Sequence, residues 1–255
     1  MKKKLIALNF ILLQMGFNLI RFFNFFKNLP TFLNQYYKFK KIYKGKVEFL
    51  PCLHDKNDEA GNSKGEYFLQ DLYVAKRIFN ANPINHLDVG SSFDGFVAHV
   101  ASYRDIDVLD IRPINSKLPG IKFKQFDLMN PVLDNNQIYD SISCLHALEH
   151  FGLGRYGDPI DINGHVKGLE NLSKLLSSEG TLYLSVPIGI SRVEFNANRV
   201  FSPKYIIKLA QSFNLEIIDF TLIRDGQINE VGLDQVLFNE LENIRYALGI
   251  FIFKK

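Results

Sequence analysis

From Glu66 onward, short apolar runs alternate with segments of helical period, and few folds accept such a rhythm. INHLDVG, DVLDI, IKFKQFD, YDSISCL, TLYLSV, LEIIDFTLI and LGIFIF read as strands. EYFLQDLYVAKRIF, GFVAHVAS, HVKGLENLSKLL and PKYIIKLAQSF repeat their apolar residues every three or four positions and read as helices. SSEG stops the third of these, and Pro203 opens the fourth at a first turn, where a missing N–H costs nothing. Strands joined through helices pair in parallel and bury both faces. The expectation is an α/β fold with a seven-stranded, mostly parallel sheet and helices on both faces. With 47% of its 255 residues hydrophobic and 22% charged, the chain can fill such a core and is not disordered.

The preceding segment is different. The net charge of +3 hides a split: residues 1–50 carry ten Lys or Arg against Glu48 alone, giving +9, and residues 51–255 carry −6. Eight of the 23 Phe lie before position 40. In KKKLIALNFILLQMGFNLIRFFNFFKNL, the polar residues Asn9, Gln14, Asn18, Arg21, Asn24 and Asn28 recur at helical intervals and leave a wide apolar face. That pattern points to a basic aromatic membrane-associating segment, residues 1–45, and a helix lying on the membrane surface is one reading of it. A single span through residues 5–26 and a helix packed on its own domain or in a dimer are the alternatives. A signal peptide fits poorly, because Phe and Arg21 follow the apolar stretch instead of small residues. For a span, Lys38, Lys40, Lys41, Lys44 and Lys46 outnumber the three lysines on the other flank and place the globular part in the cytoplasm. Pro30 is expected to end the first helix. The domains expected are an extension over residues 1–50, a polar linker over 51–65 and a globular domain over 66–255. The acidic remainder excludes nucleic acid as its main partner. Cys52 and Cys144 form no metal or disulfide pattern and suit a reducing compartment.

In such sheets ligands sit beyond the carboxyl ends of strands. Here those ends carry Asp88 and Gly90, then Asp110, then Asp127, then His146, Glu149 and His150. HLDVGSSFDGF has the strand, glycine turn and helix start of a nucleotide site. It lacks the middle glycine of a dinucleotide fingerprint, and Asp94 stands where a pyrophosphate would go. Asp110, twenty residues after Gly90, is placed to accept hydrogen bonds from ribose hydroxyls. A ribose without a pyrophosphate, near an acid, suits S-adenosylmethionine.

The succession LDVGSS, VLDIRP, FKQFDLMNP, YDSISCLHALEH and GTLYLSVP resembles the Rossmann-like class I S-adenosylmethionine-dependent methyltransferases. EYFLQDLYVAKRI, GSSFDGFVAHVAS, HALEHFGLGRYGDPID and GHVKGLENLSKLL, with SVPIG and NRVFSP, resemble the family catalogued as domain of unknown function 268, whose members occur in bacterial surface-polysaccharide gene clusters and in nematodes. The likeness spans roughly Glu66 to Ile223. It implies that Asp88, Gly90 and Ser91 hold the methionine part of the cofactor, that Asp110 with Ile111 holds the ribose, and that Asp127 and Leu128 flank the adenine.

At the end of the fourth strand, His150 or His146 is a candidate base for a substrate hydroxyl, His150 being favoured, with Glu149 beside them. The same H-x-x-E-H spacing permits a zinc hydrolase if it lies on one helix with a third ligand nearby. The glycines and proline of FGLGRYGDP argue against such a helix, and no metal set is assigned. Arg155, Tyr156, Asp158 and Asp161 lie in a glycine-rich loop suited to a polar substrate, and Glu194, Asn196, Asn198 and Arg199 can complete the pocket. The reading is an S-adenosylmethionine-dependent O-methyltransferase for a small-molecule or lipid-linked glycan substrate of surface polysaccharide biosynthesis, at the cytoplasmic membrane face. The alternative is a non-catalytic, membrane-docked scaffold on the same fold.

Overall fold

The computed structural model describes residues 11–53, 56, 65–132 and 138–255. The chain divides into two compact units, Met1–Asn62 and Ser63–Lys255. Most of the linker expected over 51–65, and residues 5–10 of the apolar segment, lie outside the described residues.

In the first unit, helix α1 (Leu19–Ile42) starts at Asn18, whose side chain accepts from the Arg21 N–H at 3.0 Å. The helix continues through Pro30, contrary to the expectation from sequence. A proline removes one N–H from the ladder. The turns on either side carry the helix past it, supported by Phe49 packing edge-on against Phe32 and Tyr36 at 5.4 and 5.3 Å. Among the described residues no helix is long and apolar enough to cross a membrane.

The second unit opens with α2 (Glu66–Ala81), ended by Asn82 in the left-handed conformation at φ 45°. Strands β1 (His86–Val89), β2 (Ile106–Asp110), β3 (Ile121–Gln125), β4 (Tyr139–Leu145) and β5 (Leu176–Ile188) pair in parallel in the order 3-2-1-4-5. The sheet continues through β10 (Ala247–Lys254), β8 (Glu216–Arg224) and β9 (Gln227–Glu230), and β10 runs antiparallel to both β5 and β8. One face is covered by α4 (Gly164–Leu175), α5 (Pro203–Gln211) and α6 (Gln235–Leu241), through Leu169, Leu172, Ile206, Ala210 and Phe238. On the other face α2 contributes Val74, Ala75 and Ile78, beside Phe96, Val97 and Val100. Both faces of these strands are covered, so the polar residues His86 and Asp88 of β1 and Ser141 and Ser143 of β4 lie in the interior and hydrogen-bond one another.

All seven expected strands are present. The main sheet has an eighth, β9, and a separate ribbon pairs β6 (Arg192–Glu194) with β7 (Asn198–Val200). QINE, RVE and NRV are too short and polar to register as apolar runs. SSEG does not separate α4 from β5 but bulges within that strand, the register moving from Tyr139↔Leu176 to Ser141↔Thr181. GFVAHVAS contracts to a π-type turn (Phe93–Val97) and one helical turn, α3 (Ala98–Ala101). After β3 the chain crosses to the other side of β1, which leaves a crevice between the carboxyl ends of β1 and β4.

Candidate functional site

A cavity of about 270 Å³ occupies that crevice. Its base is the turn after β1, where Gly90 has φ +80° and donates its N–H to the Leu109 carbonyl at 2.9 Å. A β-carbon on Gly90 would lie 2.7 Å from that of Ala147, so only glycine permits both the turn and this approach. Leu109, Phe126, Leu128 and Met129 form an apolar wall. Tyr67, Gln70 and Asp71 reach in from α2, and His146, Ala147, His150 and Phe151 from the end of β4.

The carboxylates divide by what they already bind. Asp110 faces the cavity and is gripped by Arg112, with Nε 2.9 Å from Oδ1 and Nη2 2.5 Å from Oδ2; Arg112 also donates its N–H to Oδ1 at 2.8 Å. Asp88 is fully buried beneath the turn, away from the cavity lining. It accepts from Ser91 N–H at 3.1 Å, Ser91 Oγ at 2.8 Å and Ser143 Oγ at 2.6 Å. Burial pushes its pKa up to about 7, against the pull of those bonds. Ser143 in turn meets His86 Nε2 at 3.1 Å, and burial lowers that imidazole to about 3. Asp88 thus braces the turn from behind. Asp71 is the acid that enters the cavity from α2; burial raises its pKa, and Gln70 bonds it at 3.0 Å. Asp127 accepts from Met129 N–H at 2.9 Å and shapes the loop around the apolar wall.

At the end of β4, His146 adopts the left-handed backbone at φ 52°, an uncommon conformation for a non-glycine residue and a recurrent one at functional sites. Its N–H is tied to Ser185, whose hydroxyl also meets Gln70. Its Nδ1 lies 2.8 Å from Oε1 of the buried Glu149, which fixes the proton on Nδ1 and leaves the Nε2 lone pair open. Neither His146 Nε2 nor Glu149 Oε2 has a hydrogen-bond partner among the described residues. Tyr67 packs over the imidazole at 4.6 Å. His150 donates Nδ1–H to the Ala197 carbonyl at 2.6 Å, and its pKa is lowered by burial although Glu149 pulls it up. Leu148–His150 forms a single 3₁₀ turn. The histidines therefore do not share a helix face as a zinc motif requires, and among the described residues no three His, Cys, Asp or Glu groups are placed to hold a metal ion.

The loop after His150 is organised from within. Asp158 accepts the N–H groups of Gly152, Gly154 and Tyr156 at 2.8, 3.0 and 3.1 Å. Arg199 is buried, and its guanidinium bonds the carbonyls of Phe151 at 2.6 Å and of Glu149 and Asp161 at 3.3 Å. Asp161 pairs with Lys167 at 2.6 Å, and Glu194 with Arg192 at 2.8 Å. Tyr156 is held between the guanidinium groups of Arg112 at 4.9 Å and Arg155 at 5.2 Å, edge-on to His150.

Gly90, Ser91, Asp110, Ile111, Asp127, Leu128, His146, His150, Tyr156 and Asp158 thus converge on one cavity. Asp88, Glu149 and Arg199 stand behind it, while Arg155, Asp161 and Glu194 are outside its lining. Among the lining residues that sequence reasoning missed are Tyr67, Gln70, Asp71, Arg112, Phe126 and Met129. A signal existed for two of them: Gln70 and Asp71 precede Val74 and Ala75 by one helical turn, so they are polar residues on the buried face of α2.

The fold is that of class I S-adenosylmethionine-dependent methyltransferases. An O-methyltransferase from a trans-AT PKS multienzyme of Brevibacillus brevis, in complex with S-adenosyl-L-homocysteine, superposes with a TM-score of 0.54 at 16% identity, over 74% of this chain and 72% of that one. A putative sarcosine dimethylglycine methyltransferase from Galdieria sulphuraria gives 0.52 at 16%, over 73% and 85%. The N-methyltransferase NodS from Bradyrhizobium japonicum gives 0.52 at 13%, over 79% and 98%. No curated protein matches the sequence. The family model described as "Caenorhabditis protein of unknown function, DUF268" matches residues 107–237, just over half of the chain, from β2 into α6. The chain belongs to the DUF268 family.

Proposed function

We propose that the chain is an S-adenosylmethionine-dependent O-methyltransferase acting on a sugar or glycan hydroxyl, free or lipid-linked. One observation carries this reading. A single cavity brings a ribose-type carboxylate, Asp110, at the end of β2 together with His146 at the end of β4, whose Nε2 is buried without a hydrogen-bond partner among the described residues and whose Nδ1 is backed by a buried carboxylate. The residues present fit the cofactor. Asp110 and the Gly90–Ser91 turn suit a ribose, and Leu109, Phe126, Leu128 and Met129 suit an adenine face. Asp71, in place of the buried Asp88, is the acid available to a cationic methionine end. S-adenosylmethionine would supply an electrophilic methyl group on a sulfonium.

The remaining chemistry belongs to the chain. Glu149 holds His146 in the Nδ1–H tautomer and stabilises the imidazolium that forms when Nε2 takes the acceptor's proton. His146 replaces His150 as the favoured base, since a carboxylate, Glu149, backs its Nδ1–H, whereas the Nδ1–H of His150 meets only the neutral Ala197 carbonyl and burial disfavours its charged form. The rings of Tyr67 and Tyr156, with their polar edges, suit a hydroxyl-bearing ring beside that base. The direct test is calorimetry of the full chain with S-adenosylmethionine and S-adenosylhomocysteine, followed by assay of methyl transfer to sugar acceptors. Binding lost in Asp110→Ala supports the proposal. Absence of both heat and thermal stabilisation, with binding to NAD or a nucleotide sugar instead, sinks it.

The scaffold reading draws on the Arg112–Asp110 pair, which already satisfies the ribose-type carboxylate. It requires wild-type function in a cell-based glycan assay after His146→Ala and Asp110→Ala.

A further inference from the structure

Helix α1 leaves much of its aromatic surface exposed. Its covered flank is marked by Asn28, Phe32 and Tyr36, four residues apart. The Asn28 amide there is buried and bonds the Leu53 carbonyl at 2.9 Å, and Phe49 packs on the two aromatic rings. The opposite flank carries Leu19, Phe23, Phe26, Pro30, Leu33 and Tyr37 at alternating steps of four and three, which stacks them in one stripe about 27 Å long. Phe23 is 65% exposed, Phe26 54% and Tyr37 58%. The helix therefore covers an amide and two aromatic rings on one flank and leaves further aromatic rings exposed on the other, the pattern of an interaction surface.

Charge identifies the occupant. Lys27, Lys38, Lys40 and Lys41 are exposed around the stripe, and no acid occurs in the chain before Glu48. We propose that this stripe docks on an anionic phospholipid bilayer, with α1 lying in the plane of the interface. The aromatic rings enter the headgroup–acyl boundary and the lysines meet lipid phosphates. The mid-helix Lys27 and the Asn28–Leu53 tether fix a polar flank, which suits lying in the interface and opposes spanning. Self-association through the same rings is the competing occupant, and it has no use for the uncompensated lysines, which would repel one another across a pair of copies.

The test is flotation of the full-length protein with phosphatidylcholine vesicles and with mixed phosphatidylcholine–phosphatidylglycerol vesicles, beside analytical ultracentrifugation without lipid. The expected result is recovery with the mixed vesicles, reduced by raised salt. Phe23→Ser with Phe26→Ser lowers partitioning by roughly tenfold or more. Lys38→Glu with Lys40→Glu and Lys41→Glu removes the preference for phosphatidylglycerol. Circular dichroism shows that both variants fold, since the altered side chains are exposed. Equal recovery of wild type and the Phe variant overturns the proposal, as does a lipid-independent dimer that the Phe substitutions dissolve. Neither result bears on methyl transfer, which rests on the other unit.

Discussion

Arg112 holds Asp110 through both carboxylate oxygens, at 2.9 and 2.5 Å, at the place where a ribose would make its bonds. The same guanidinium packs over Tyr156 at 4.9 Å and reaches the Gly90 carbonyl at 3.3 Å. The turn after β1, the end of β2 and the loop after β4 therefore meet in one side chain.

On the proposed function, the ribose hydroxyls of the cofactor share Asp110 with this guanidinium. Arg112→Ala is expected to tighten S-adenosylhomocysteine binding roughly tenfold, the worth of one hydrogen bond to a charged group, and Asp110→Ala to abolish it. Calorimetry checks both. Weaker binding by Arg112→Ala makes Arg112 a ligand group and reverses the interpretation.

His146 and Glu149 should act as a unit. Either His146→Ala or Glu149→Gln is expected to lower kcat by about 10²–10⁴ with little change in cofactor affinity, the usual share of a general base. His150→Ala should cost less. Equal loss for His150→Ala and His146→Ala removes the distinction between them.

The buried network behind the turn has opposing pH dependences. Folded Asp88 keeps its proton up to about pH 7, whereas the unfolded carboxyl ionises near 3.8, so its contribution to stability declines as pH rises through that window. His86 stays neutral down to about pH 3 when folded but protonates near 6.5 when unfolded, so its contribution declines as pH falls below 6.5. Over the shared window the slopes cancel. Asp88→Asn is expected to add acid sensitivity below 6.5, and His86→Gln to make stability fall between 3.8 and about 7, each by at most about 1.4 kcal/mol per pH unit. Urea unfolding across pH measures both, and unchanged profiles in the two variants contradict the assignment.

Arg199 should behave as a structural clamp and not as a substrate contact. Arg199→Leu removes a donor from three carbonyls, of which only that of Asp161 keeps another among the described residues, the Gly164 N–H, and is expected to cost about 2–3 kcal/mol. Arg199→Lys should not restore it, because an ammonium lacks the guanidinium fork. Thermal unfolding decides; a variant with native stability and only a raised substrate KM returns Arg199 to substrate binding.

The sequence of residues 66–255 by itself determines the α/β class, all seven principal strands and the strand-end positions of Gly90, Asp110, Asp127 and His146, because hydrophobic periodicity and turn residues are local properties of the chain. Only the tertiary structure decides which polar groups share the cavity. Sequence puts Asp88 at the ligand end of a strand and Asp71 within a helix, yet Ser91 and Ser143 enclose the first while α2 turns the second into the cavity. Arg112 closes on Asp110, and Arg199 reaches back across the fold to three carbonyls. Pro30 does not stop α1, and Phe32 and Tyr36 in the turns after it pack against Phe49 from beyond the helix. Side-chain partnership depends on which elements lie opposite one another in space, and the sequence order of strands does not carry that information.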